Sequence, residues 1–236
     1  MDNLLIFIPT YNEKENVKLM IKELTSLPFS FDMLFIDDNS PDGTGKILEA
    51  LKAEYKNLSV IHRAGKLGIG SAHKTGIDYA FKNGYDYLLT MDCDFSHSPS
   101  DIGKFLQHKD FDLVIGTRYS SKESLKEWNF YRKFLTNLGH FLTKKLLMMS
   151  FDATGAFRLY NLKKIRPEDF YNVKSEGYSF FFESLFFLNL KGYSIKEIPI
   201  ILPKRTYGSS KMSIIEIFKS LYRLVRLFLY RIKAIR

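Results

Sequence analysis

The sequence predicts an α/β domain built on a mainly parallel sheet flanked by helices. Two observations carry that expectation. Over the first 120 residues, short β-branched or aromatic runs alternate with amphipathic stretches of helical period, the pattern of successive β-α units. The apolar runs are also nearly continuous rather than alternating, as in strands buried on both faces.

Taken in order, Leu4–Pro9 reads as a buried strand. Glu13–Leu27 reads as a helix with Val17, Met20, Ile21 and Leu24 on one face. Met33–Asp38 is the second strand, followed by a Ser-Pro-Asp-Gly turn and a helix over Thr44–Tyr55. Leu58–His62 is the third strand and Ser71–Lys82 the helix after it. Tyr87–Met91, Ser100–His108 and Leu113–Gly116 continue as strand, helix and strand. The second half is less regular. Trp128–Met149 reads as helix, Phe157–Tyr160 as strand, Tyr178–Leu190 as a helix with five phenylalanines, and Ile195–Leu202 as a strand containing Pro199. The expected organisation is one domain over 1–211 with a helical appendage over 212–236.

The chain has 236 residues, 45% hydrophobic and 26% charged, with 21 Phe and 14 Tyr. That much apolar surface excludes an intrinsically disordered chain. Cys93 is the only cysteine, so no internal disulfide framework exists, which fits a reducing compartment. One Cys and scattered His also miss the ligand spacing of a structural zinc site. The amino terminus lacks a basic segment followed by an apolar core, and no stretch of about 18 residues is free of charge. A cytoplasmic chain is expected. The net charge of +9 is local: Lys204–Arg236 holds nine basic residues against the single acid Glu216, a net +8, leaving +1 for the other 203 residues. A neutral body with one basic tail points to a local anionic partner, a membrane surface or a phosphate ligand, and not to nucleic acid.

In parallel sheets ligands bind beyond the carboxyl ends of the strands. Three polar segments stand there. Met91-Asp92-Cys93-Asp94 ends the fourth strand, and in extended backbone Asp92 and Asp94 point to one side. Two hard oxygen ligands suit Mg²⁺ or Mn²⁺, which bind through one or two carboxylates plus phosphate oxygens; the alternative is a pair of solvated loop aspartates. Asp37–Thr44 follows the second strand. There Asp38 reads as a ligand group for ribose or base and Asp42 as a helix cap, in a segment whose composition also suits a plain turn. Pro9–Glu13 follows the first strand, with Tyr11 able to stack on a base and Glu13 to accept from one, or simply to start a helix. Gly65, Gly68 and Gly70 beside Arg63 and Lys66 look like a phosphate-cradling loop. Arg118, Arg132, Arg158, Arg205 and Lys211 supply cations, and the Gly-Ser-rich stretch Lys204–Lys211 has the make-up of a phosphate clamp.

Together these segments resemble glycosyltransferase family 2, in particular its dolichyl (polyprenyl) phosphate mannose-forming branch. The matching stretches are Pro9–Glu13, Asp37–Thr44, Gly65–Ala72, Met91–His97, Gly116–Tyr119, Thr154–Tyr160 and Arg205–Lys211, in the family's order, over residues 4 to 211. The resemblance implies a GT-A fold and inverting transfer of mannose from GDP-mannose to polyprenyl phosphate. It places Pro9, Tyr11, Glu13, Ile36 and Asp38 at the nucleotide. Asp92, Cys93 (through its backbone) and Asp94 fall at the diphosphate, with Asp94 the principal ligand of Mg²⁺ or Mn²⁺ and Ser96 in the shell. Arg118, Arg132, Arg205 and Lys211 would bind the acceptor phosphate and donor diphosphate, and Asp94, Arg118 and Arg132 are the expected catalytic set. Two positions depart from the family pattern: Cys93 stands where a small residue is usual, and Phe181 where Gln is common. The Gly-Lys-Leu-Gly-Ile-Gly stretch favours mannose over glucose, the alternative being a polyprenyl-phosphate transferase using UDP-glucose or another nucleotide sugar.

Beyond Met212, Lys219, Arg223, Arg226 and Lys233 lie along one helical stripe. Ile214, Ile217, Phe218, Leu221, Val225, Phe228 and Ile232 line the other. Such a helix is expected in a membrane interface, peripheral to the cytoplasmic face, with room for a membrane-anchoring partner protein; the alternative is packing on the body or on a second subunit.

Overall fold

Leu5 and Phe7 of the first strand enter one apolar cluster while Leu4, Ile6 and Ile8 enter another. The period-2 pleat of a strand with both faces buried produces that division, and it repeats along the sheet. The computed structural model describes residues 2–120, 124–125, 130–203 and 213–235. Its elements are β1 (Leu4–Thr10), α1 (Val17–Thr25), β2 (Asp32–Asp37), α2 (Thr44–Lys52), β3 (Leu58–His62), α3 (Ile69–Lys82), β4 (Tyr87–Thr90), α4 (Ile102–Leu106), β5 (Leu113–Thr117), α5 (Phe130–Leu146), β6 (Arg158–Asn161), α6 (Ser179–Leu190), β7 (Ile195–Pro199) and α7 (Ile214–Ile235).

Among the described residues the strands form one seven-stranded sheet in the order β3-β2-β1-β4-β6-β5-β7. All neighbours are parallel except β6, which runs antiparallel to both β4 and β5. The sheet is therefore mixed: the segment expected at Phe157–Tyr160 is a strand, inserted between two parallel ones. Its direction sends its amino-terminal end to the edge where β1, β2, β4 and β5 finish, with Arg158 opposite Thr90 and Ile115. One face is covered by helices such as α1, whose Val17, Met20, Ile21 and Leu24 are fully buried as the periodicity predicts. The other face carries α3 and the phenylalanine-rich α6, buried around nearly its whole circumference.

The tail departs from the simple two-stripe reading. Leu224 and Leu227 of α7 join the core, and the helix packs on α6 and α5. Of the expected basic stripe, Arg223 turns inward to the carboxylate of Glu183 while Lys219, Arg226 and Lys233 stay exposed; Arg231, outside that stripe, donates to the Leu146 carbonyl at 3.3 Å. Much of the outward surface is apolar: Ile214, Ile215, Phe218, Leu221, Tyr222, Val225, Leu229 and Ile232 are all exposed. Phe130, Phe134, Leu138 and Phe141 of α5, at helical spacing, are exposed as well. Sequence periodicity had not singled out that second stripe. No helix among the described residues is long and apolar enough to cross a membrane.

Beneath this layer, His73 of α3 is 1% exposed. Its ring is enclosed by Phe7, Phe180 and Phe181 at centroid distances of 5.1, 5.3 and 4.9 Å, and neither ring nitrogen has a hydrogen-bond partner. Burial, with the Arg158 charge adding to it, pushes the imidazole pKa down to about 3 from 6.5. The unfolded chain thus takes up a proton that the folded chain refuses, and stability falls as pH drops below 6.5. Between pH 7 and pH 5 this one group is expected to cost about 2 kcal/mol. Urea titrations of wild type and His73→Leu at the two pH values measure it. The variant should lose less stability on acidification, and equal losses would refute the assignment.

Candidate active site

The strand order reverses between β1 and β4, and the crevice in which such sheets take their ligands lies beyond the carboxyl ends at that point. The turns that follow β1 and β2 are stitched together there. The main-chain N–H of Asn12 donates to Ser40 Oγ at 2.9 Å, that of Glu13 to Thr44 Oγ1 at 2.9 Å, and that of Lys14 to Asp42 Oδ2 at 3.1 Å. Asn12 and Asn39 take positive φ values of 56° and 54°, a left-handed backbone that asparagine tolerates. Asp42 accepts from the N–H and hydroxyl of Thr44 at the start of α2, the structural role its spacing suggests. Glu13 accepts from Asn16 at 2.7 Å. Tyr11 stands on the edge of the crevice with Lys66 Nζ 4.4 Å from its ring centroid. Pro9 is half-buried in β1, paired in register with Ile36. The Ile36 side chain lies wholly in the core, so only its backbone can meet a ligand.

Asp38 is held by its own chain. Its Oδ1 accepts from Arg63 Nε at 2.5 Å and its Oδ2 from the Leu67 N–H at 3.2 Å. A carboxylate has about four acceptor positions, so this pinning orients Asp38 and leaves capacity for a ligand. The glycine loop has a packing role that spacing alone did not disclose. Gly68 has φ of +96°, and a Cβ there would stand 2.5 Å from the Glu176 carbonyl oxygen. A Cβ on Gly70 would stand 2.6 Å from the Gly177 oxygen. These glycines let the start of α3 touch the 175–178 turn.

The segment after β4 differs from the sequence expectation. β4 ends at Thr90, and Cys93–His97 is a succession of bends in which Phe95 has φ of 60°. The pleat therefore does not place Asp92 and Asp94. The bend does. Asp94, 6% exposed, accepts from the N–H and hydroxyl of Ser96 at 3.1 and 2.6 Å. The Asp92 N–H donates to His97 Nδ1 at 3.0 Å, and the His97 ring stacks on Phe157 with centroids 5.0 Å apart. Cys93 is buried. A phenylalanine in left-handed backbone costs about 1 kcal/mol or more, and such outliers gather at functional sites. Asp92, Asp94 and Ser96 make an oxygen-only donor set, which fits Mg²⁺ or Mn²⁺ completed by phosphate oxygens. No group of three or more His, Cys, Asp or Glu gathers among the described residues.

Arg118 follows β5 on the same edge. Its Nε and Nη2 donate to the two Asp152 oxygens at 2.7 and 3.0 Å, and Nη2 reaches Thr154 Oγ1 at 2.9 Å. Asp152 had not been singled out from sequence; it sits just before the Thr154–Tyr160 motif with no periodicity to mark it. Burial alone would push the Asp152 carboxyl up, but Arg118 and the N–H groups of Arg118 and Thr154 outweigh this and hold it below the usual carboxylate range. Asp92 is near enough for its charge to act on Arg118. Arg158, by contrast, is not available to a ligand: it is 1% exposed and donates to the carbonyls of Gly155, Ala153 and Phe181 and the hydroxyl of Ser184. Arg132 lies in α5, its side chain outside the described residues, as are Arg205 and Lys211 and the whole Lys204–Lys211 stretch.

A mixed, mostly parallel sheet with acid-bearing turns at its switch point is the GT-A architecture of nucleotide-sugar transferases. Residues 5–166 match the family described as Glycosyl transferase family 2, and the chain belongs to that family. It is 33% identical over 213 residues to the polyprenol monophosphomannose synthase of Mycolicibacterium smegmatis, covering 89% of this chain and 80% of that one. It is 35% identical over 211 residues to the undecaprenyl-phosphate mannosyltransferase of Micrococcus luteus, covering 89% and 87%. Among solved structures, glucosyl-3-phosphoglycerate synthase from Mycobacterium tuberculosis, crystallised with Mn²⁺, UDP and glucosyl-3-phosphoglycerate, has the same fold. Its TM-score is 0.61 at 14% identity, with 98% of this chain and 80% of that chain covered.

The Arg118–Asp152 pair is almost wholly buried, with side chains 10% and 1% exposed. Removing one charge strands the other. Asp152→Asn is expected to destabilise the fold by about 3 kcal/mol, read from urea unfolding. A loss below about 0.5 kcal/mol, the size of a surface substitution, would show that Arg118 finds solvent instead.

Proposed function

We propose that this chain transfers mannose from GDP-mannose to a polyprenyl phosphate with inversion at the anomeric carbon. The observation that supports the reading is that Asp38 after β2, Asp92 and Asp94 after β4 and Arg118 after β5 all follow the carboxyl ends of strands at one edge of the sheet, with the Asp92 charge acting on Arg118. The names of the two relatives at 33% and 35% identity support the sugar and the lipid phosphate.

The acceptor chemistry explains the residue set. A phosphate monoester has a second pKa of about 6 and is mostly dianionic near pH 7, so no side chain has to remove a proton from it. A phosphate oxygen attacks the anomeric carbon from the face opposite the nucleotide. The bond from that carbon to the diphosphate breaks, and its electron pair leaves on GDP. The protein's task is to hold two anions against one carbon and to stabilise charge on the leaving group. Pro9, Tyr11, Glu13, the Ile36 backbone and Asp38 hold the nucleotide. Asp92 and Asp94, with Ser96 and the Cys93 backbone beside them, would hold Mg²⁺ or Mn²⁺ at the diphosphate. When bound, that ion would supply charge neutralisation to the diphosphate of the departing GDP. Arg118, fixed in direction by Asp152, presents its guanidinium to the acceptor phosphate; Arg132, Arg205 and Lys211, which the family resemblance assigns to the same anions, have side chains outside the described residues.

A lipid acceptor brings the enzyme to a bilayer. The exposed apolar stripes of α7 and α5 lie on two helices packed together. With the exposed Lys219, Arg226 and Lys233 they suit an anionic interface, and this supports reading the chain as peripheral to a membrane, in our proposal its cytoplasmic face, with or without an anchoring partner.

Melting curves with GDP-mannose, UDP-glucose and Mn²⁺ test the donor. GDP-mannose should raise the melting temperature in a manganese-dependent way, and Asp94→Ala should abolish both that shift and mannosyl transfer. A larger shift with UDP-glucose would transfer the reading to another donor, and full turnover by the variant would remove Asp94 from the site. Sedimentation with anionic vesicles tests the interface. The double variant Ile215→Ser/Phe218→Ser should pellet several-fold less than wild type at unchanged melting temperature, and equal pelleting would defeat the interfacial role.

A further inference from the structure

Glu183 of α6 is completely buried and lies far in sequence from every turn of the crevice, yet its hydrogen bonds lead to one of them. Its Oε1 accepts from the Lys174 N–H and its Oε2 from the Ser175 N–H, both at 2.9 Å, and Arg223 of α7 closes an ion pair on it. The turn thus fixed presents the Glu176 carbonyl to the Ser71 N–H at 2.9 Å. The Ser71 hydroxyl accepts from Arg63 Nη1 at 2.7 Å, and Arg63 Nη2 donates to the Gly68 carbonyl at 3.0 Å. Arg63 in turn grips Asp38, the two side chains being only 7% and 8% exposed. Gly68 and Gly70 seat the two segments in direct backbone contact, so a shift of the turn cannot be absorbed by intervening side chains.

We propose that Glu183 and Ser71 are positioning residues for donor binding: they hold Arg63, and through it Asp38, in the orientation that receives the nucleotide, with α7 anchoring the far end through Arg223. This rests on the donor reading above. A buried carboxylate accepting two main-chain N–H groups and a guanidinium is a rigid support, because displacing any partner leaves a buried polar group unpaired. The support acts on the nucleotide side of the crevice alone. Arg118 and Asp152 reach the crevice from β5 and the 152–154 turn and share none of these bonds.

Calorimetric titration of the full chain with GDP and Mn²⁺, alongside initial rates with GDP-mannose and polyprenyl phosphate, separates this role from a general structural one. Glu183→Gln keeps the shape but loses the charge and one acceptor; Ser71→Ala removes only the hydroxyl that receives Arg63. Each should weaken GDP binding and raise the donor KM by about fivefold to tenfold, with the acceptor KM and kcat within twofold. Their combination should be less than multiplicative, since both act through Arg63. Should Glu183→Gln fold poorly, Ser71→Ala alone decides. Wild-type GDP affinity in the variants, or equal rises in both KM values, overturns the positioning role while leaving the donor reading intact. Failure of the wild-type chain to bind GDP overturns both.

Discussion

From β1 the chain moves to β2 and β3 on one side, while β4 stands on the other, so no helix can cross over the carboxyl ends of β1 and β4. That gap is a topological consequence of strand order and not of any one residue. Everything chemical in the molecule is arranged around it. The turns after β1 and β2 are cross-bonded into one rim, the bend after β4 supplies the buried Asp94 and half-exposed Asp92, and β5 delivers Arg118. Because β6 runs antiparallel, the 152–157 segment also arrives at this edge, and with it the carboxylate that pairs Arg118.

Charge is managed differently on the two sides of the gap. On the nucleotide side, Asp38 is tied to Arg63 and a backbone N–H; on the other, Arg118 is tied to Asp152. Asp38 and Arg118, the groups proposed for the nucleotide and the acceptor phosphate, are therefore each already half of a buried pair. A buried pair contributes little net stability, but it fixes direction, and direction is what a site needs if it is to hold two anions against one carbon. Phe95, in left-handed backbone within the Asp92–His97 bend, belongs to the same economy of local strain and fixed geometry.

Most of this sheet was legible in the sequence because burial on both faces writes continuous apolar runs, as at Leu4–Ile8, and amphipathic helices write their period, as at Val17–Leu24. The three polar turns were legible because they interrupt that pattern at strand ends. Three things were not. The antiparallel direction of β6 leaves no mark in four residues, since direction is set by what lies between strands. Asp152 and Glu183 look like ordinary acids in sequence, and their importance arises from burial against Arg118 and Arg223, contacts 34 and 40 residues away. The glycine loop hid a second role for a related reason: its spacing suggests an anion cradle, and only the neighbouring backbone at Glu176 and Gly177 shows that Gly68 and Gly70 also have no room for a side chain.

The position of β6 also bears on how the chain acquires its fold. β4 and β5 are consecutive in sequence but are kept apart by a strand made some forty residues later. A polypeptide emerging from its amino end finishes both before their separator exists. Until Arg158–Asn161 slides in, each presents an unsatisfied edge to the other, and premature zippering of the two would have to be undone. The sheet of this enzyme can therefore close only once Asn161, about two-thirds along the 236 residues, has been made.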